Sequence, residues 1–64
     1  MNGIKHRREK IGLTQIELAI ALHVKQASVS RWENGESMPS ADKLPEIAKV
    51  LNCRIEDLYA NKNA

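Results

Sequence analysis

Residues 26–34 read Gln-Ala-Ser-Val-Ser-Arg-Trp-Glu-Asn. Wound as a helix from Gln26, the stretch puts Val29 and Trp32 at about 300° and 240°, a narrow apolar stripe. Gln26, Ala27, Ser30, Arg31 and Asn34 fall between roughly 0° and 140°. That outer arc offers amide, hydroxyl and guanidinium tips, one small residue and no carboxylate. Such tips suit the base edges of a DNA major groove. Arg can bond guanine twice, Gln can bond adenine twice, and a small side chain can meet a thymine methyl. An ordinary solvated face would carry the same residues. No nucleophile–base set, no carboxylate pair in a cleft-forming context and no phosphate-binding glycine loop accompanies the arc, so it points away from an enzyme.

Charge is divided along the chain. The formal net charge is +2 over 64 residues. Residues 1–32 hold Lys5, Arg7, Arg8, Lys10, Lys25 and Arg31 against Glu9 and Glu17, a net of +4, whereas residues 33–64 are net −2. One basic half suits a polyanion-facing side. A chain this short forms one small domain and hides only ~60% of its unfolded surface, so the core is thin. No run approaches the ~18 apolar residues of a membrane span, and no charged-then-apolar leader opens the chain. Cys53 stands alone, which excludes an internal disulfide and a multi-cysteine zinc site. The expectation is a cytoplasmic, single-function protein with no cofactor, metal, membrane or small-molecule ligand.

Five short helices must position that arc, and no period-two alternation calls for a strand. The first, about 3–11, sets Ile4, Arg8 and Ile11 on one face, with Arg7 lying along the surface by its aliphatic stem. Gly12 ends it. Thr14 and Glu17 then form a capping box opening a second helix to about Leu22, which buries Leu18, Ala19 and Leu22. Only His23-Val24-Lys25 separates it from the third helix, which Gly35 closes as a left-handed cap. So short a link enforces a steep angle, the helix-turn-helix arrangement. Ser40 is the expected cap of a fourth helix with the stripe Leu44, Ile47, Ala48 and Leu51, its first turn disturbed by Pro45. Asn52 ends it, and a short fifth helix through Ile55, Leu58 and Tyr59 closes the core.

Leu13-Thr14-Gln15, Glu17-Leu18-Ala19 and Val29-Ser30-Arg31-Trp32-Glu33-Asn34-Gly35, followed by Pro39, Ile47-Ala48, Leu51 and Glu56-Asp57-Leu58, together resemble the phage repressor and Cro-like (XRE-type) helix-turn-helix family. The resemblance covers about residues 4–59. It implies an all-α, five-helix lambda-repressor-like domain over 1–64, with the helix-turn-helix at about 15–34 and a polar tail at 60–64. It implies double-stranded DNA as partner, with Gln26, Ala27 and Arg31 in base-reading positions. Gln15 would bond a phosphate and brace Gln26. Lys25, Ser28, Ser30, Asn34 and Lys43 would flank or touch the DNA backbone, and Arg8 and Glu33 would form a buried ion pair. Relatives often pair around Cys53–Tyr59, which makes Tyr59 a candidate contact in a weak homodimer.

Some residues depart from the family pattern. His23 stands where relatives usually have Gly, and Lys25 where they have a Ser or Thr cap, a loss of ~1 kcal/mol at the helix start. His23 has no second ligand at helical spacing, so it reads as a turn residue. Arg54 replaces a polar cap, and Cys53 a small apolar residue that packs in the core. Ile16 and Ile20, on the second helix, point away from Leu18 and Leu22; scattered exposed apolar residues are normal, and a contact for a protein partner is the sharper reading. Two functions follow: a sequence-specific transcriptional regulator, most simply a repressor, or an antitoxin-like or anti-regulator protein-binding module that also binds DNA.

Overall fold

The computed structural model describes residues 1–59, and the tail expected at 60–64 lies outside them. Four α-helices follow one another: α1 (Asn2–Lys10), α2 (Gln15–Leu22), α3 (Gln26–Asn34) and α4 (Lys43–Val50). The expected fifth helix is a single 3₁₀ turn, Ile55–Leu58. Leu58 in it is buried, while Ile55 and Tyr59 are exposed.

Local chemistry accounts for the boundaries. Arg7, Arg8 and Lys10 lie in the last turn of α1, where cations favour the helix dipole. The helix stops at Lys10, so Ile11 is a cap residue off the helical spacing. It is therefore exposed and does not share the face of fully buried Ile4. At the start of α2, Thr14 Oγ1 accepts from the Glu17 N–H at 3.1 Å, and Glu17 Oε1 accepts from the Thr14 N–H at 2.8 Å. His23 closes α2 in the left-handed region (φ 57°, ψ 42°), and Lys25 enters α3 extended without a side-chain cap.

The fourth helix starts later than Ser40. Asp42 is its N-cap, itself in helical geometry and without a side-chain cap bond, while the Ser40 carbonyl accepts from the Lys43 N–H at 2.9 Å. Ser40 thus opens a turn ahead of the helix. Its side chain bonds the Asp42 carboxyl and, with the Asp42 backbone, holds that carboxyl below its ordinary range. The late start makes Pro45 the third residue of α4, where an N–H would have no helical partner. The proline therefore disturbs nothing.

Asn52 ends the segment at φ 54°, letting the Cys53 N–H reach the Ala48 carbonyl at 3.0 Å. The Asp57 carboxylate accepts from the Arg54 N–H at 3.1 Å, the half of a capping box that does not require an acceptor on Arg54. Arg7 is more than a covered stem: its Nη2 donates to the Leu51 and Asn52 carbonyls at 3.3 and 3.0 Å, holding α1 to the end of α4.

One core joins these elements. Ile4, Leu18, Leu22, Val29, Ile47, Leu51 and Leu58 are fully buried, with Trp32 and Ala48 beside them. Leu44 and Cys53 pack against it half-buried, and burial pushes the Cys53 thiol up. Gly3 allows the 3₁₀ turn to close on α1, because a Cβ there would stand 2.7 Å from the Leu58 carbonyl carbon.

Candidate nucleic-acid interface

The link His23–Lys25 gives α3 its place against α2. The His23 N–H reaches the Ile20 carbonyl at 3.2 Å and the Val24 N–H the Ala19 carbonyl at 3.0 Å, so the chain reverses within one turn. Val29, Trp32 and Glu33 then face inward. Lys25, Gln26, Ala27, Arg31 and Asn34 are exposed, and Ser28 and Ser30 are half-buried between the two sides. Lys25 and Arg31 have no ion-pair partner among the described residues.

A chain of polar contacts runs from the core to this surface. Arg8 Nε donates to Glu33 Oε2 at 2.7 Å and Nη2 to Oε1 at 3.0 Å, while Nη1 donates to the Leu13 carbonyl at 2.7 Å. The hydrogen bond to Glu33 is the main reason the Arg8 guanidinium is held above its ordinary range. Gln15 Nε2 also donates to Glu33 Oε1, at 2.9 Å. A carboxylate only accepts, so Gln15 must turn its amide nitrogen inward and its Oε1 outward. Gln26 Nε2 stands 3.5 Å from that Oε1, at the first turn of α3.

The other singled-out residues are spread more widely. Asn34 Nδ2 is 3.5 Å from Ser30 Oγ and 3.4 Å from Glu36 Oε2. Lys43 is half-buried at the far end of α2, its Nζ 3.5 Å from the Leu22 carbonyl and 3.8 Å from Glu46 Oε1. Ile16 and Ile20 stand out on α2 at 53% and 68% exposure. Tyr59 is exposed at the end of the 3₁₀ turn. No group of acidic, histidine or cysteine side chains among the described residues could hold a metal ion.

Sequence reasoning passed over Glu36. Glu36 directly follows the left-handed Gly35 cap, and its N–H returns to the Arg31 carbonyl at 2.9 Å.

A family model described as helix-turn-helix matches residues 4–58. The chain belongs to the XRE-type helix-turn-helix family. Its relatives include the HTH-type transcriptional regulator DicA of Escherichia coli K12, 44% identical over 50 residues, which are 78% of this chain and 37% of that protein. An uncharacterised HTH-type transcriptional regulator of Archaeoglobus fulgidus is 41% identical over 88% of this chain and 80% of its own length. The 26 kDa repressor protein of Escherichia phage HK022 is 46% identical over 58% of this chain and 16% of its own. The chain thus spans well under half of DicA and of the phage repressor, and most of the archaeal regulator. No solved structure matches it. No helix among the described residues is long and apolar enough to cross a membrane.

Proposed function

We propose that residues 1–64 form one DNA-binding domain that regulates transcription, acting as a repressor by occupying a promoter. The observation that carries this reading is the exposed, carboxylate-free arc of α3, braced at Gln26 through Gln15. With Nε2 near Gln15, Gln26 keeps an amide oxygen and a second N–H for the two-bond pattern that adenine offers. In this reading Arg31 bonds a guanine and Ala27 meets a thymine methyl. Around them, Lys25, Ser28, Ser30, Asn34 and Lys43 serve the DNA backbone. The backbone N–H of Gln15, at the start of α2, is a favourable place for a phosphate.

One such helix reads few base pairs, so we infer a dimer on a two-fold symmetric operator, with recognition helices ~34 Å apart. Ile55 and Tyr59, exposed at 39% and 49%, provide the apolar surface for a weak contact between copies. The exposure of Ile16 and Ile20 favours a second reading, in which this chain is itself an antitoxin-like or anti-regulator module that also binds DNA, with α2 docking its partner protein. Titration of a palindromic duplex across salt concentrations tests the first. Log affinity is expected to fall against log salt with a slope of about −0.9 per phosphate neutralised. A flat response removes groove binding, and high affinity for a protein encoded by a neighbouring gene favours the second.

A further inference from the structure

We propose that Glu36 is a sequence-independent brake on DNA affinity, a carboxylate carried at the backbone-facing end of the recognition helix. Gly35 adopts φ 78°, and the Glu36 N–H returns to the Arg31 carbonyl at 2.9 Å, with the Ser37 N–H reaching the same carbonyl at 3.4 Å. These bonds pin the Glu36 backbone beneath the last turn of α3. Its Oε2 lies 3.4 Å from Asn34 Nδ2, the amide assigned above to the DNA backbone. Glu36 is exposed and has no cationic partner among the described residues.

Nothing about this placement serves the fold. The end of a helix carries the negative pole of its dipole, where a carboxylate is unfavourable. Its contact with Asn34 is long and solvent-exposed, hence weak. The placement matters for a polyanion. Duplex DNA presents one negative charge per ~1.7 Å of axis, so a carboxylate beside Asn34 meets phosphates of like sign. It also competes with them for the Asn34 N–H groups. Both effects are blind to base sequence, because phosphates carry none. Glu36 therefore weakens matched and mismatched sites alike.

The proposal rests on α3 facing DNA, and the test separates the two claims. Wild type, Glu36→Gln and Glu9→Gln, which removes the same charge from exposed α1, are titrated by fluorescence anisotropy. The probes are a duplex selected from a random library and a scrambled duplex of equal length, at two salt concentrations. Glu36→Gln is expected to tighten both by a similar factor, roughly three- to tenfold at low salt and less at high salt. Its thermal midpoint should not fall, since the change relieves the dipole. Glu9→Gln should tighten both by clearly less than Glu36→Gln does, since it acts only through the overall charge. Unaltered or weaker binding by Glu36→Gln, a gain on only one duplex, or an equal gain from Glu9→Gln overturns the brake. If wild type binds no duplex at either salt, the reading of α3 fails and the brake falls with it.

Discussion

The Arg8 guanidinium holds the Glu33 carboxylate by two parallel bonds, at 2.7 and 3.0 Å, with the Glu33 side chain only 1% exposed. The pair ties α1 to α3 and leaves Glu33 Oε1 to orient Gln15 as well. Removing one partner strands a buried charge, which costs ~3–5 kcal/mol. Total stability for a domain this size is roughly 3–10 kcal/mol. Arg8→Ala or Glu33→Ala should therefore lower the unfolding free energy in urea titrations by ~3–5 kcal/mol, about a third of the total or more. The double variant Arg8→Met/Glu33→Leu should lose much less than the two single losses combined. Single losses under about 1 kcal/mol would mean the pair behaves like an exposed one.

Gly3 and Leu58 form the closure between α1 and the 3₁₀ turn. Gly3→Ala must push the turn's backbone outward, so a loss of ~1–3 kcal/mol is expected. Leu58→Ala leaves a cavity instead and should cost ~2–5 kcal/mol. Urea midpoints measure both. A neutral Gly3→Ala would show that the turn is not packed on α1 as described.

His23 pays for its left-handed backbone with a Cβ that the turn does not need. His23→Gly should raise stability by ~0.5–1 kcal/mol, the gain being reduced by the freer unfolded chain. A thermal midpoint that drops would indicate that the imidazole makes a contact worth more than the strain.

Much of this architecture is legible in the residues themselves. Thr14 and Glu17 specify the start of α2 through a bond between neighbours, and Gly35 and Asn52 mark reversals by tolerating positive φ. Val29 and Trp32 declare the inner face of α3 by spacing alone. The failures have a common origin. Ser40 looks like a cap because cap preference is local, yet Asp42 and the turn before it displace the start of α4 to Lys43. Ile11 falls on a helical period that the helix does not reach. The contacts of Arg7 with the Leu51 and Asn52 carbonyls, and of Lys43 with Leu22, join segments far apart in sequence. Spacing cannot announce them. The same holds for the candidate site: its exposed arc can be read from periodicity, whereas the shared use of Glu33 by Arg8 and Gln15 emerges only when three helices are assembled.

Asp42 makes a small part of the stability acid-sensitive. Its carboxyl titrates below the unfolded value, chiefly through the Ser40 side-chain bond and then its own backbone. A lowered folded pKa contributes stability above the unfolded pKa, and this is lost as pH falls through the folded value. Between pH 5 and 3, the urea midpoint of Ser40→Ala should thus fall less than that of wild type. Parallel curves would show that the bond does not persist in solution.

The central claim is that Gln26 and Arg31 read bases from the outer arc of α3, and base selection tests it most directly. Wild type, Gln26→Ala, Arg31→Ala and Gln15→Ala each select duplexes from one random library. Wild type should recover a two-fold symmetric site. Gln26→Ala and Arg31→Ala should each lose preference at its own symmetric pair of positions, a discrimination of ~1–3 kcal/mol there. Gln15→Ala should weaken all duplexes similarly. Recovery of the wild-type site with undiminished preference by both Gln26→Ala and Arg31→Ala would contradict the assignment of α3 as the reading surface.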